Sequence, residues 1–196
     1  MTAQYGISPD TDALIVVDVQ RDFCRGGVLV VPDGEAVIPV LNRWLQVEGL
    51  LKIATRDWYP ADHRSFQSQG GPWPPHCVQH TPGAELHQTL NAEAIDVIVS
   101  KGTAPDAEGY SAFDAKELVV TLRTRDILRV WIGGLALDGC VKATALDACK
   151  LGLVTFVIED AVRCIDMQPG DCARAWREMA KAGVKRVATA EISGVP

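Results

Sequence analysis

The feature of this chain that most constrains its fold is a regular alternation between short apolar runs and longer amphipathic segments. Six runs stand out: Ala13 to Val19, Leu50 to Thr55, Ala94 to Ser100, Ile127 to Gly133, Leu153 to Glu159 and the shorter Val184 to Ala188. Apolar runs that alternate with helical patterns are typical of βαβ units, in which helices connect parallel strands. The alternation therefore predicts an α/β protein with a mostly parallel sheet of five or six strands and helices on both faces of the sheet.

The segments between these runs carry apolar residues at helical spacing. Ile38, Leu41 and Leu45 recur in this way and predict a helix over residues 36–47. Further helices are predicted over 140–151 and 171–182, each followed by a glycine of the kind that ends helices, and a weaker one after Phe113. Because 196 residues is an ordinary length for one domain, residues 1–196 are expected to form a single domain.

The charge balance bears on the partners of the protein. A net charge of −6 argues against nucleic acid and anionic membrane surfaces, because both attract basic proteins. The first residues, MTAQYGISPDTD, have no basic region followed by an apolar one, so no secretory signal is expected. No apolar stretch approaches the ~20 residues needed to span a bilayer, and a cytoplasmic protein is the expectation.

The six cysteines follow no regular framework. They stand at positions 24, 77, 140, 149, 164 and 172, without a CxxC pair. In a reducing compartment this pattern predicts free thiols, most of them acting as small apolar residues in the core. Cys140 differs in position, because it lies between a predicted strand and the following helix, whose dipole favours a thiolate.

Asp18 and Lys101 stand in matching places, at the ends of the first and third apolar runs. Taken singly, Asp18, Lys101 and Cys140 each have an ordinary structural explanation, as a loop cap, a surface charge and a buried thiol. In a parallel sheet, however, ligands bind where the carboxyl ends of the strands meet, so the three side chains are expected to come together. A carboxylate, an ammonium and a thiol can serve as base, charge partner and nucleophile.

Two long irregular segments, residues 57–85 and 101–111, begin directly after predicted strands. Long loops in a compact domain are usually either functional or disordered. The first segment offers one or two carboxylates, Asp57 and Asp62, and two imidazoles, His63 and His76, and such oxygen and imidazole atoms suit zinc, iron or manganese. Aspartate and histidine in loops are more often ordinary polar surface, so these residues alone do not define a metal site.

Taken in order, the residues resemble the isochorismatase-like cysteine hydrolases, and within them the nicotinamidase and pyrazinamidase group. The matching motifs cover nearly the whole chain: Asp18-Val19-Gln20-Arg21-Asp22-Phe23, Thr55-Arg56-Asp57-Trp58, Trp73-Pro74-Pro75-His76-Cys77-Val78, Thr81-Pro82-Gly83-Ala84-Glu85, Lys101-Gly102, Tyr110-Ser111-Ala112-Phe113 and Gly134-Leu135-Ala136-Leu137-Asp138-Gly139-Cys140-Val141-Lys142-Ala143-Thr144-Ala145. So many motifs in one order are more specific than any single one. The resemblance implies a single isochorismatase-like domain with a Rossmann-like, three-layer architecture.

The resemblance also implies a catalytic triad of Asp18, Lys101 and Cys140. In such enzymes the aspartate takes the thiol proton, the lysine stabilises the charged pair, and the thiolate attacks the carbonyl of a small amide. Ammonia then leaves and water hydrolyses the thioester. A cis peptide bond between Leu135 and Ala136 is implied as well, with the N–H groups of Ala136 and Cys140 forming the oxyanion hole.

The substrate contacts and the assembly are further expectations from the resemblance. Phe23 and Trp73 correspond to the aromatic pair that sandwiches a pyridine ring, and Tyr110 corresponds to a residue near the pocket. The implied partner is therefore a small-molecule amide. Members of the family often form dimers or larger assemblies, so a homo-oligomer is expected.

The chain departs from the family at the metal motif. That motif reads Asp-x-His; Asp57 matches its first position, whereas Tyr59 stands where the histidine would be. His76 matches a further ligand and His63 corresponds to an additional histidine of some members, so the implied metal ligands are Asp57, His63 and His76. The missing imidazole is expected to weaken the binding of zinc, manganese or iron.

Three functions follow as hypotheses. The first is a nicotinamidase-type amidase that converts nicotinamide to nicotinate and ammonia. The second is a relative that cleaves another small amide or ureido compound without a tight metal site, and Tyr59 is the reason to consider it. The third is a catalytically silent binding protein, which the intact set of Asp18, Lys101 and Cys140 disfavours.

Overall fold

The strands and helices of the protein follow the predicted alternation. The computed structural model describes residues 5–196. The strands are β1 (Tyr5–Gly6), β2 (Asp12–Val17), β3 (Leu51–Asp57), β4 (Val97–Lys101), β5 (Arg129–Leu135), β6 (Val154–Arg163), β7 (Lys185–Val187) and β8 (Ile192–Ser193). The α-helices are α1 (Val37–Trp44), α2 (Lys116–Thr124), α3 (Lys142–Lys150) and α4 (Asp171–Lys181). All six predicted strands and all four predicted helices are confirmed, with ends that differ by a few residues.

Six of the strands form one sheet in the order β4-β3-β2-β5-β6-β7. Every neighbouring pair in this sheet is parallel, which confirms the predicted fold class. The remaining two strands, β1 and β8, pair with each other in parallel and join the two ends of the described chain. They are only two residues long, too short to produce a recognisable apolar pattern in the sequence.

Two apolar cores lie on opposite faces of the sheet. In the central strand β2, Leu14 and Val16 pack into one core, while Ala13, Ile15 and Val17 pack into the other. Successive side chains of a strand point to opposite faces, so a strand buried on both sides is apolar throughout. The first core is covered by α1, and the second is covered by α2, α3 and α4, which gives the predicted three layers.

The sheet brings four strand ends to one edge. Strands β4, β3, β2 and β5 are neighbours, and they end at Lys101, Asp57, Val17 and Leu135. The two long loops that follow β3 and β4 therefore rise from adjacent strands. Within residues 5–196, no helix has the length and apolar character that crossing a bilayer requires.

The prediction that all six cysteines are free thiols is wrong for two of them. Cys164 and Cys172 form a disulfide, with their Cα atoms 5.9 Å apart. Cys164 directly follows β6, and Cys172 lies in the first turn of α4, so the chain folds back on itself between them. Asp166 helps the chain reverse by adopting a left-handed φ of 52°. Spacing in the sequence does not reveal such a reversal, and the remaining cysteines at 24, 77, 140 and 149 are free.

Candidate active site

One buried cluster joins the ends of neighbouring strands. The Lys101 Nζ atom lies 2.8 Å from Asp18 Oδ2, and it also bonds Asp57 Oδ1. The same ammonium donates to Cys140 Sγ at 3.4 Å. Asp18 and Asp57 are almost completely buried, as is Lys101 with 2% of its surface exposed. The structure therefore brings Asp18, Lys101 and Cys140 together as expected.

Backbone and side-chain contacts hold the two carboxylates in place. Asp18 leaves β2 with a left-handed φ of 49°, which turns its side chain toward β3 and β4. There the Thr55 hydroxyl donates to Asp18 Oδ1 at 2.7 Å. The Gln20 side chain accepts the N–H of Asp57 and donates to its carbonyl, both at 2.8 Å. These bonds fix Asp18 and Asp57 on the two sides of Lys101.

The cluster shifts the proton affinities of its members. Burial raises the pKa of Asp18 to about 6, against the opposing pull of the Lys101 ammonium. Burial lowers the pKa of Lys101, but the carboxylates of Asp18 and Asp57 outweigh it and raise that pKa well above its usual range. Burial also raises the pKa of the Cys140 thiol, which Lys101 only partly opposes. At neutral pH the resting site thus holds a neutral thiol beside a carboxylate that can take its proton.

Cys140 is presented by a tight turn between β5 and α3. The peptide bond between Leu135 and Ala136 is cis, as the family resemblance implied. The Ala136 carbonyl accepts the N–H groups of Gly139 at 3.0 Å and of Val141 at 3.1 Å, which closes the turn. Both Ala136 and Cys140 line the adjoining cavity.

The cavity has a volume of about 350 Å³ and opens beside Cys140. Phe23, Trp73 and Tyr110, the three predicted substrate contacts, all line it. Trp73 belongs to the loop after β3 and Tyr110 to the loop after β4, and the Trp73 indole N–H donates to the Tyr110 hydroxyl at 3.0 Å. Two loops that are far apart in sequence thus meet at the mouth of a cavity whose volume suits a small aromatic amide.

Only one group of three potential metal ligands within residues 5–196 is compact. One ligand atom each from Asp18, Asp57 and Cys140 lie within 4.8 Å of one another, a grouping of a kind that can hold a divalent metal. Lys101 Nζ, however, contacts all three side chains. Because the ammonium already supplies the positive charge among these groups, the residues do not fit a metal ion at that point.

The predicted metal ligands Asp57, His63 and His76 are not brought together in this way. The Tyr59 ring lies beside both imidazoles, with centroids 4.2 Å from His63 and 5.3 Å from His76. His63 donates from Nε2 to the Ala107 carbonyl at 3.1 Å and accepts at Nδ1 from the side chain of its neighbour two residues on, at 2.8 Å. Both of its ring nitrogens are therefore engaged in hydrogen bonds. These three residues, as the structure arranges them, do not fit a divalent metal either.

Sequence reasoning missed several residues of the site. Thr55 and Gln20 hold the two carboxylates, and the Gly109 carbonyl accepts from Lys101 Nζ. Thr55 and Gln20 stand inside the motifs quoted above, so the signal was present but carried no assigned role. Nothing in the sequence pointed to Gly109, because a backbone carbonyl carries no side-chain signature.

The arrangement has close relatives among known proteins. A family model described as the isochorismatase domain matches residues 12–191. The nicotinamidase of Escherichia coli (strain K12) is 42% identical over 195 residues, covering 87% of this chain and 92% of that protein. The pyrazinamidase of Pyrococcus horikoshii, solved in complex with zinc, is 48% identical with a TM-score of 0.83, covering 90% of this chain and 98% of its own. A protein of L. infantum, solved in complex with nicotinate, has a TM-score of 0.91 at 36% identity, covering 95% and 97% of the two chains.

Fold, site and relatives together define the class: a hydrolase with a parallel α/β fold that acts on the C–N bond of amides. The family model spans nearly all of the described residues, and the relatives are similar over most of their own length. The chain belongs to the isochorismatase family.

Proposed function

We propose that this protein hydrolyses nicotinamide to nicotinate and ammonia, with Cys140 as the nucleophile. The observation that carries the proposal is the buried contact of Lys101 with both Asp18 and Cys140, at the wall of a cavity lined by aromatic side chains. The similarity to curated nicotinamidases over most of the chain supports the choice of substrate.

The first half of the reaction forms a thioester. Asp18 takes the proton of the Cys140 thiol, and the thiolate attacks the amide carbonyl carbon. Negative charge develops on the carbonyl oxygen, where the N–H groups of Ala136 and Cys140 stabilise it. Asp18 then returns its proton to the departing nitrogen, the C–N bond breaks, and ammonia leaves.

The second half hydrolyses the thioester with the same groups. Asp18, again a carboxylate, takes a proton from water as the water oxygen attacks the thioester carbonyl. The C–S bond breaks, the carboxylic acid product forms, and the proton returns to the Cys140 sulfur. Lys101 stays protonated throughout because two carboxylates flank it, so it stabilises the charge on Asp18 and on the thiolate.

The remaining groups of the pocket orient the substrate. Phe23 and Trp73 contact the faces of the pyridine ring, and Tyr110 holds Trp73 by a hydrogen bond. Zinc, manganese or iron at Asp57, His63 and His76 is disfavoured, because Tyr59 lies beside both imidazoles.

A second candidate function is the hydrolysis of another small amide or ureido compound. Tyr59, which lines the pocket, favours it. Where the pocket wall holds no metal ion, no metal there requires the substrate to carry a pyridine nitrogen. A silent binding protein is disfavoured by the complete cluster around Lys101.

The assembly and location of the protein extend the same proposal. Residues 1–196 form one hydrolase domain, which acts as a cytoplasmic homo-oligomer on a small-molecule amide. Sedimentation of the purified protein measures the number of subunits.

The test is ammonia release from nicotinamide by the purified protein, with Cys140→Ala as the control. Turnover by the wild type and its loss by about 1,000-fold or more in the variant is the expected result. Cys149→Ala is the matched control, because Cys149 is a free cysteine that the reaction does not use. A folded wild-type protein that releases no ammonia from nicotinamide would exclude this substrate, and activity retained by Cys140→Ala would exclude the thiolate.

A further inference from the structure

We propose that Tyr59 takes the place of a metal ion in this pocket, so that the enzyme works without one and draws little of its specificity from a ring nitrogen of the substrate. This inference rests on the proposed amidase function and concerns the same site. It names a residue that determines specificity, and it predicts which amides the pocket accepts.

The Tyr59 side chain fills the wall of the cavity next to the catalytic cluster. It is 5% exposed and lines the cavity together with His63 and His76. Its ring lies 4.2 Å from the His63 ring at an interplanar angle of 32°, and 5.3 Å from the His76 ring at 76°. An aromatic ring packed beside two imidazoles occupies the space through which their nitrogens would converge on an ion.

Two glycines make room for this ring. A Cβ atom at Gly102 would collide with the Tyr59 ring, and one at Gly109 would collide with its ring and hydroxyl. Gly102 also has a left-handed φ of 65°, which glycine adopts without strain. The Tyr59 hydroxyl donates to the Gly109 carbonyl at 3.4 Å, a long contact that nevertheless points it toward the loop after β4. The phenol is thus enclosed by backbone on one side and by imidazoles on the other.

Two of the polar side chains around Tyr59, Asp57 and His63, already have partners within the protein. Asp57 bonds the Lys101 ammonium. His63 uses both ring nitrogens, one toward Ala107 and one toward Ser65. A metal at this wall would have to displace several of these bonds as well as the ring.

The same contacts determine what the wall offers to a substrate. His76 donates from Nδ1 to the Pro74 carbonyl at 2.8 Å, so in the neutral ring Nε2 carries no proton and can only accept. A pyridine nitrogen also only accepts, and it gains no direct hydrogen bond from such an atom. Neither imidazole at this wall has a free N–H for the ring nitrogen, so nicotinamide is held here by ring stacking and by its amide group, and a benzene ring in place of the pyridine ring is expected to cost little.

The first experiment measures zinc binding by elemental analysis after dialysis of the full-length protein against chelator and then against zinc. The wild type and Tyr59→Phe, which keeps the ring, are expected to hold less than about 0.1 equivalent. Tyr59→His removes the phenol and adds an imidazole beside Asp57 and His76, and it is expected to hold about one equivalent. One equivalent in the wild type that disappears in His76→Ala would overturn the proposal, even if Tyr59→His fails to fold.

The second experiment compares nicotinamide and benzamide as substrates of chelator-treated wild-type protein. The expected kcat/KM values differ by less than about tenfold, because a tenfold difference already corresponds to a hydrogen bond of substantial strength. A preference for nicotinamide of tenfold or more would overturn the proposal. If neither amide is hydrolysed, the proposed function fails, and the zinc measurement still decides what Tyr59 does.

Discussion

At the residue scale, Lys101 is the group that joins the proposed catalytic residues. Its ammonium lies between two buried carboxylates and contacts the thiol, so one positive charge faces two acidic groups. Removal of one partner from a buried ion pair typically costs 3–5 kcal/mol, since the remaining charge is left uncompensated. A lysine that joins three side chains therefore stabilises this buried site.

The pKa of Asp18 predicts how the rate depends on pH. Burial raises this pKa to about 6, and only the ionised carboxylate can accept the Cys140 proton. We expect kcat/KM to fall about tenfold per pH unit below pH 6 and to be level just above it. Asp57, Lys101 and Cys140 surround Asp18. Because Asp18 and Asp57 share one ammonium, the pKa read from the pH profile belongs to the pair of carboxylates and not to Asp18 alone. Lys101 keeps its charge throughout this pH range.

The measurement is a pH profile of kcat/KM between about pH 4.5 and 8, with circular dichroism at each pH to confirm that the protein stays folded. A profile that is flat across pH 6 in folded protein would show that Asp18 is not the base. Asp114 is a suitable comparison, because burial raises its pKa too, and Asp114→Asn should leave the acid limb in place.

Asp18 and Lys101 lie together as expected because the backbone itself placed both side chains. Asp18 and Lys101 stand at strand ends, and a parallel sheet brings such ends together whatever the loops do. The association of Asp57 with Lys101 was not predicted, because one carboxylate suits a metal ion and an ammonium equally well. Only the distance from Asp57 to Lys101 in the fold decides between them.

At the element scale, the two long loops after β3 and β4 build the cavity between them. Residues 58–85 contribute Trp73, and residues 102–111 contribute Tyr110. The hydrogen bond between these two side chains is a direct polar link between the loops at the cavity mouth. It is one of several hydrogen bonds between these loops, among them the Arg64 N–H to the Pro105 carbonyl at 2.8 Å, and it is the one that joins the two aromatic side chains of the cavity wall.

Tyr110→Phe tests this link. The substitution keeps the ring but removes the acceptor of the Trp73 indole N–H, which is 3.0 Å away. We expect KM to rise by about two- to tenfold, the effect of one hydrogen bond, with kcat changed by less than about twofold. Steady-state kinetics on nicotinamide provides the measurement.

The control for Tyr110→Phe uses two further variants: Trp73→Phe alone, and the double variant that carries both Trp73→Phe and Tyr110→Phe. If the hydrogen bond is what matters, the double variant is no worse than Trp73→Phe alone, because the two substitutions remove the same contact. Additive effects, or an unchanged KM in Tyr110→Phe, would show that the two side chains act separately.

At the scale of the whole molecule, the two apolar cores differ in how they are covered. Three helices share one face of the sheet, whereas α1 is the α-helix that packs on the other among the described residues. Leu41 of α1 is fully buried, and its side chain lies over Gly133 of β5. The residues on that face include Phe23, so its packing also reaches the cavity wall.

Leu41→Ala is therefore expected to destabilise the whole fold. Removing a buried leucine side chain typically costs about 2–5 kcal/mol, because it loses burial and leaves a cavity. Val120→Ala on α2 is the matched control, since Val120 is 59% exposed and its truncation should cost less than about 0.5 kcal/mol. Urea unfolding of both variants measures the difference, and equal midpoints would contradict the role assigned to α1.

The sequence by itself determined the class of fold, the strand and helix order and the proximity of Asp18, Lys101 and Cys140, because these depend on local periodicity and on the geometry of parallel strands. Tertiary structure alone decided the contacts between segments far apart in sequence. The Tyr59 ring beside His63 and His76, the room left for it by Gly102 and Gly109, and the bond between Cys164 and Cys172 are of this kind. A residue type states what a side chain can bind, whereas only the folded chain determines which partner lies within reach.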